Sequence, residues 1–156
     1  MAERPGADEI AKWHRFFAVE CNNRGWNLVE NERRGPGEDI EMLHCAHASA
    51  FHWGKVGTAS NVAKSELLLA FVHAMLGYGA QASRYAQRSL DFVMAHSAAE
   101  WELAFAHAAV SFAAAVQNDA EAHLSHYNRA RKIGDGLSSA EEREIFLATF
   151  RNVPAP

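Results

Sequence analysis

Several of the nine histidines in this 156-residue chain are spaced to share a helix face. Glu41, His44, Ala48 and His52 recur every three or four residues, and His47 lies beside His44. At about 100° per residue, such positions project from one side of a helix. Glu41-x-x-His44 has the carboxylate–histidine spacing of di-iron helix bundles, which need a second such pair on a facing helix. The sequence has no second Glu-x-x-His. His44-x-x-His47, with His73 or His107 as a third ligand, would instead suit a mononuclear zinc or nickel site. A divalent transition metal is therefore the cofactor this pattern would require. The alternative needs no cofactor: polar side chains that line a groove or hydrogen-bond across helices. That second reading is the expectation taken forward.

Glu66 and His73 form another candidate pair, two turns apart with small Ala70 between them. They would make a polar notch for a ligand, or Glu66 would bond structurally to the preceding helix. Trp53, Trp13 and Trp26 read as packing anchors, and Trp53, next to His52 near a loop, is also a candidate contact residue. His107 lies in the apolar run Leu103–Val116 and reads as a satisfied core histidine. His123 and His126, beside Glu121, read as a solvated face. The chain has no P-loop, Gly-x-Gly-x-x-Gly, His-Glu-x-x-His, Gly-x-Ser-x-Gly or Cys-x-x-Cys.

The elements that must position these groups are helices. Asp8 begins a first helix to about Glu32, weakened at Asn22-Asn23-Arg24-Gly25. After the loop Arg33–Gly37, a second helix runs from Glu38 to Trp53, and Gly54–Gly57 ends it. The third spans Thr58–Leu76 and the fourth Ala80–Ala95, with Gly77-Tyr78-Gly79 as the turn. Ser97-Ala98-Ala99-Glu100 reads as a capping box opening the fifth helix, to Val116. Asn118-Asp119 opens the sixth, to Ile133, and Gly134-Asp135-Gly136 reads as a loop. Ser138-Ser139-Ala140-Glu141 opens the seventh, ending near Arg151. Trp101, Phe105, Ala108, Phe112 and Ala115 make one stripe, as do Ala82, Ala86, Leu90 and Val93. Short loops imply antiparallel hairpins. The expected fold is all-α: about seven helices in one domain, residues 8–152, between a flexible N-terminal tail, 1–7, and a C-terminal tail, 153–156.

Composition narrows the function classes. The chain is 49% hydrophobic and 22% charged, with net charge −4, which argues against nucleic acid as a partner. Arg129, Arg131 and Lys132 cluster near one helix end and read as complementing its dipole. No apolar run reaches membrane-spanning length and no secretory leader opens the chain, so no membrane partner and a cytoplasmic location are expected. Cys21 and Cys45 read as reduced, partly buried thiols.

Two hairpins share small residues at similar offsets: Ala70, Leu76-Gly77, Ala82, Ala86 and Leu90, then Ser111, Asn118-Asp119, Tyr127 and Ala130. The pattern resembles the tetratricopeptide repeat, with a spacing of roughly forty residues against the usual ~34. The resemblance implies a right-handed stack of hairpins. Positions where such domains carry Lys, Asn or Arg to clamp acidic peptide tails hold Leu67, Phe71, Ala108 and Phe112, so that role is not expected. Glu41-Met-Leu-His-Cys-Ala-His-Ala-Ser49 and His52-Trp-Gly-Lys-Val-Gly-Thr58 together resemble the signature of an uncharacterised bacterial TPR-like family, which implies fold and no activity. The apolar inner face of Leu67, Phe71, Phe105 and Phe112 must be covered by the first two helices, a second copy or a partner helix. An interaction or assembly module, with a protein partner or as a homodimer, is the expected function. The alternative is a small-molecule or metal-dependent activity at Glu41, His44, His52, Glu66 and His73.

Overall fold

A computed structural model describes residues 4–156. Seven α-helices and no strand occur among them: α1 (Ala7–Glu30), α2 (Pro36–Val56), α3 (Ala59–Met75), α4 (Gly79–Ala95), α5 (Glu100–Val116), α6 (Ala120–Asp135) and α7 (Ala140–Phe150). Met1–Glu3 of the expected N-terminal tail lie outside the described residues, and Ala7 already belongs to α1.

Local chemistry sets most ends near their expected positions. Pro36 starts α2, where its missing N–H costs nothing, and the Gly35 N–H donates to Glu38 Oε2 at 3.1 Å. Thr58 and Asn61 cap α3 reciprocally: the Asn61 N–H donates to Thr58 Oγ1 at 3.3 Å and the Thr58 N–H to Asn61 Oδ1 at 3.0 Å. Asp119 caps α6 through the Ala122 N–H at 3.1 Å. Two expected caps shift. In α5 the Ala99 N–H donates to Glu102 Oε2 at 3.0 Å, while Ser97 takes a left-handed φ of 47° in the turn. In α7 the cap is Ser139, accepting from the Glu142 N–H at 3.2 Å.

Two helical glycines answer to side chains on other helices, and one of them corrects the sequence-based expectation. α1 passes through Asn22–Gly25 unbroken, as expected. A Cβ on Gly25 would stand 2.8 Å from Leu68 Cδ2, so the glycine lets α1 close on α3. Gly134 is not in a loop but inside α6, buried, where a Cβ would collide with the Phe146 ring of α7. At Gly134, turn-forming composition lost to tertiary packing.

Every helix packs on its chain neighbours. The antiparallel sense is visible in cross-helix pairs: Ser49 Oγ–H donates to the Ala18 carbonyl at 3.0 Å and Ser111 Oγ–H to the His123 carbonyl at 3.1 Å. Beyond chain neighbours, α1 touches α3, α3 touches α5, and α5 touches α7, whereas α2, α4 and α6 do not touch one another. The odd-numbered helices thus form one continuous layer. α7 also reaches back to α1, where Arg151 Nη2 donates to the Glu30 carbonyl at 3.0 Å and its Nε lies 3.4 Å from Glu32. α3 and α5, at the centre, are buried around nearly their whole circumference, as their apolar runs require. Alanines 70, 82, 86, 104, 108 and 130 are fully buried and let helices approach closely, with Phe71, Phe146 and Leu28 filling the space between.

The expected C-terminal tail is pinned at its start. Val153 is buried in the core, and His123 Nε2–H donates to the Pro154 carbonyl at 2.9 Å. This buries His123, which is therefore not on a solvated face. No helix among the described residues is long and apolar enough to cross a membrane.

Candidate binding site

Each helix of the odd-numbered layer sends two or three side chains, one turn apart, toward a common space. Asn22, Trp26 and Glu30 come from α1, Lys64 and Leu67 from α3, Trp101 and Phe105 from α5, and Ile145 and Thr149 from α7. Together they wall a cavity of about 300 Å3. A neighbouring hollow of about 390 Å3 shares Trp101, Phe105 and Ile145 and adds Glu141 and Glu142. These volumes lie at the small end of ligand-sized cavities.

The walls are held from behind. Trp26 packs on Phe71 with ring centres 5.7 Å apart and on Phe105 at 6.2 Å. Trp101 meets Phe105 edge-on at 6.1 Å, and Phe105 meets Phe146 edge-on at 5.4 Å. Edge-to-face contacts of this kind fix ring orientation as well as burying area. The cation at the rim is already engaged: Lys64 Nζ lies 5.5 Å from the Trp101 ring centre and 3.4 Å from Glu102 Oε1. Glu30, Glu141 and Glu142 have no ion-pair partner among the described residues. The site therefore combines aromatic walls with unneutralised carboxylates.

The histidines and carboxylates singled out in the sequence face different neighbours. Glu41 turns to α1 and grips Arg24 through two bonds of 2.7 and 2.9 Å, which hold its carboxyl below the usual range. His52 also turns to α1, where its Nδ1 shares a 2.7 Å hydrogen bond with His14 Nδ1. His44 is exposed, in a shallow depression with Cys21, Glu41 and Cys45. His47 and His73 do meet, edge to face at 5.1 Å, but His73 Nδ1–H is spent on the Leu69 carbonyl at 2.8 Å and its ring packs on Tyr85 at 5.4 Å. Partial burial, then His73 and His44, lowers the His47 pKa. Glu66 faces α4 and pairs with Arg88 at 2.7 Å; burial raises its pKa and Arg88 opposes that. Trp53 lies over the α2–α3 turn, against Gly57. Among the described residues no group of three or more His, Cys, Asp or Glu side chains is arranged to hold a metal ion. His44, His47 and His73 thus do not form the three-ligand set that the spacing suggested.

His107 is the core histidine its surroundings implied, bonded to His126 through the two Nδ1 atoms at 2.9 Å. That contact removes His126 from the solvated face expected for it. Cys21 and Cys45 are free thiols facing each other across α1 and α2, and burial raises both pKa values.

Sequence reading found Leu67 and Phe105 on the inner face but missed Lys64, Trp101, Ile145, Thr149 and the three free glutamates as parts of one site. The available signal was a pair of large or polar residues one turn apart on every odd-numbered helix. No family model, curated protein or solved structure matches this chain.

Proposed function

We propose that this chain is a helical interaction module, TPR-like in layout, whose inner-face cavity takes a bulky apolar side chain of a partner protein flanked by Lys or Arg. The observation that carries this reading is the pairing of aromatic walls with Glu30, Glu141 and Glu142, none of them neutralised from within. The apolar anchor gains by leaving water against Trp26, Trp101 and Phe105. The flanking cation meets the carboxylates at the rim, which steers encounter and selects the partner. An acidic tail would meet repulsion instead, in keeping with Leu67, Phe71, Ala108 and Phe112 at the clamp positions. The alternative site at Glu41, His44, His52, Glu66 and His73 has less support, because Glu41 and His52 bond to α1 while Glu66 pairs with α4.

Selection from a random peptide library displayed on phage tests this. The expected winners carry a Trp, Phe or Leu with Lys or Arg within two residues. A Glu141→Lys/Glu142→Lys variant is expected to lose them by roughly tenfold or more, about 1.4 kcal/mol. Enrichment of acidic peptides, or none, contradicts the reading.

A second reading, self-association, rests on a different surface. Trp13, Phe16 and Phe17 of α1 and Phe51 of α2 are 52%, 51%, 43% and 58% exposed. Phe16 and Phe17 touch with ring centres 5.3 Å apart, and Trp13 lies 6.1 Å from each. Half-exposed aromatics of this size present roughly 400 Å2 per copy, about half of what each partner buries in a stable interface. A second copy docking the same surface would supply the complementary apolar area. Light scattering across a dilution series is expected to show a dimer that Phe16→Glu/Phe51→Glu converts to a monomer of unchanged helicity. A monomer at every concentration contradicts this second reading.

A further inference from the structure

A second cavity, of about 350 Å3, opens between α5 and α6 on the far side of α5 from its aromatic stripe, lined by Glu100, His107, Arg129, Lys132, Ile133 and Gly136. Two cations and a buried imidazole converge there. Arg129 and Lys132 form no ion pair among the described residues, although Arg131 between them reaches Asp135 at 3.7 Å. The helix dipole accounts for Lys132, which lies in the last turn of α6. It does not account for Arg129, because the effect fades beyond that turn. His107 is only 6% exposed, and its Nδ1 is committed to His126 at 2.9 Å. Of its two ring nitrogens, Nε2 therefore remains for any group in the cavity.

We propose that this cavity is a binding site for a phosphate monoester, its dianion held between Arg129, Lys132 and His107. The chemistry follows from the donor set. A guanidinium offers a planar fork to two phosphate oxygens and an ammonium adds a compact charge. His126 Nδ1–H donating to His107 Nδ1 leaves His107 as the Nε2–H tautomer, a third donor, and a bound anion selects that arrangement. Burial, then His126 and Arg129, lowers the His107 pKa to about 4, so the charge of Arg129 reaches the ring. Glu100 is the one acidic residue in the lining. It is seven residues from His107 along α5, about 10 Å by helical rise. That separation leaves it to accept a hydroxyl or ammonium from the organic part of the ligand, over Ile133 and Gly136. The site is independent of the inner-face cavity.

Imidazole 15N chemical shifts, followed by NMR during titration at fixed ionic strength, provide the test. The probes are inorganic phosphate and glycerol 3-phosphate. Both are expected to move the His107 and His126 resonances saturably, glycerol 3-phosphate with a Kd of ~1 mM or tighter. Arg129→Gln/Lys132→Gln, at exposed positions, is expected to weaken binding roughly tenfold or more. Arg131→Gln removes a neighbouring charge outside the cavity and is expected to leave binding unchanged. Glu100→Gln is expected to leave inorganic phosphate binding intact or tighter. No saturable shift, or equal weakening by Arg131→Gln, overturns the proposal, because the cations would then act only as general surface charge.

Discussion

Phe146→Ala is expected to cost about 3–5 kcal/mol of folding stability. The ring is 1% exposed, stacked on Phe150 with centres 5.0 Å apart, and edge-on to Phe105 at 5.4 Å. It also fills the space left by Gly134 of α6. One side chain thus joins α5, α6 and α7, and α7 closes the odd-numbered layer onto α1. Truncation leaves a cavity too rigidly framed by helices to collapse. Urea unfolding monitored by far-UV circular dichroism measures the cost, and Phe146→Leu should lose clearly less. A loss near 1 kcal/mol for the alanine variant would mean that α7 packs loosely and that the inner-face cavity lacks a fixed fourth wall.

Stability is expected to fall as the solution is acidified from about pH 6.5 to about pH 4, with His107 the largest single contributor. Its folded-state pKa is lowered to about 4, first by burial and then by His126 and Arg129, from an ordinary value of 6.5. A histidine with a lowered folded pKa contributes stability that is fully present above the unfolded value. That contribution is lost as pH falls toward the folded one, because the unfolded chain takes the proton first. The interval corresponds to about 3 kcal/mol. His47, His52 and His126 are lowered too and act in the same direction. Glu66 acts oppositely. Its pKa is raised by burial against the pull of Arg88, so its relative contribution is present below pH 4.5 and is lost as pH rises through the folded value. Chemical denaturation at a series of pH values should show the fall. His107→Gln should flatten it, and Glu66→Gln should steepen it by removing the compensating protonation. A level profile between pH 6.5 and 4 would mean that the His107–His126 contact opens to water at no cost.

The helices were legible because their signals are local. Proline at the start of α2, the Thr58–Asn61 cap and Asp119 act within three or four residues of themselves, and the apolar stripe of α5 reports its own buried face. Gly134 misled for the same reason: its meaning lies in Phe146 on another helix, just as that of Gly25 lies in Leu68. Ser97 and Ser138 misled by one or two residues because serine at a turn and serine at a cap look alike in sequence. The candidate site divides similarly. Periodicity proposed a shared face from Glu41 to His52, but it cannot name what each residue on it meets. Arg24 takes Glu41, His14 takes His52 and His73 meets His47, while His44 stays exposed. The inner-face cavity is composed of two or three residues from each of four helices, and only the closure of α7 on α1 makes them one site. The free charge of Glu30, Glu141 and Glu142 is likewise a statement about missing partners, which spacing does not encode.

The four tryptophans report directly on whether partners bind in the inner-face cavity. Trp26 and Trp101 wall it, Trp13 lies on the exposed aromatic surface, and Trp53 lies over the α2–α3 turn. Indole N–H resonances recorded by 1H–15N NMR, on titration with an Arg-flanked peptide from the phage selection, read all four at once. Binding in the cavity is expected to give saturable shifts at Trp26 and Trp101 with Trp13 and Trp53 unmoved, and to lose them in Glu141→Lys/Glu142→Lys. Shifts confined to Trp13, or no shift at Trp26 and Trp101, would contradict it and place recognition outside the cavity.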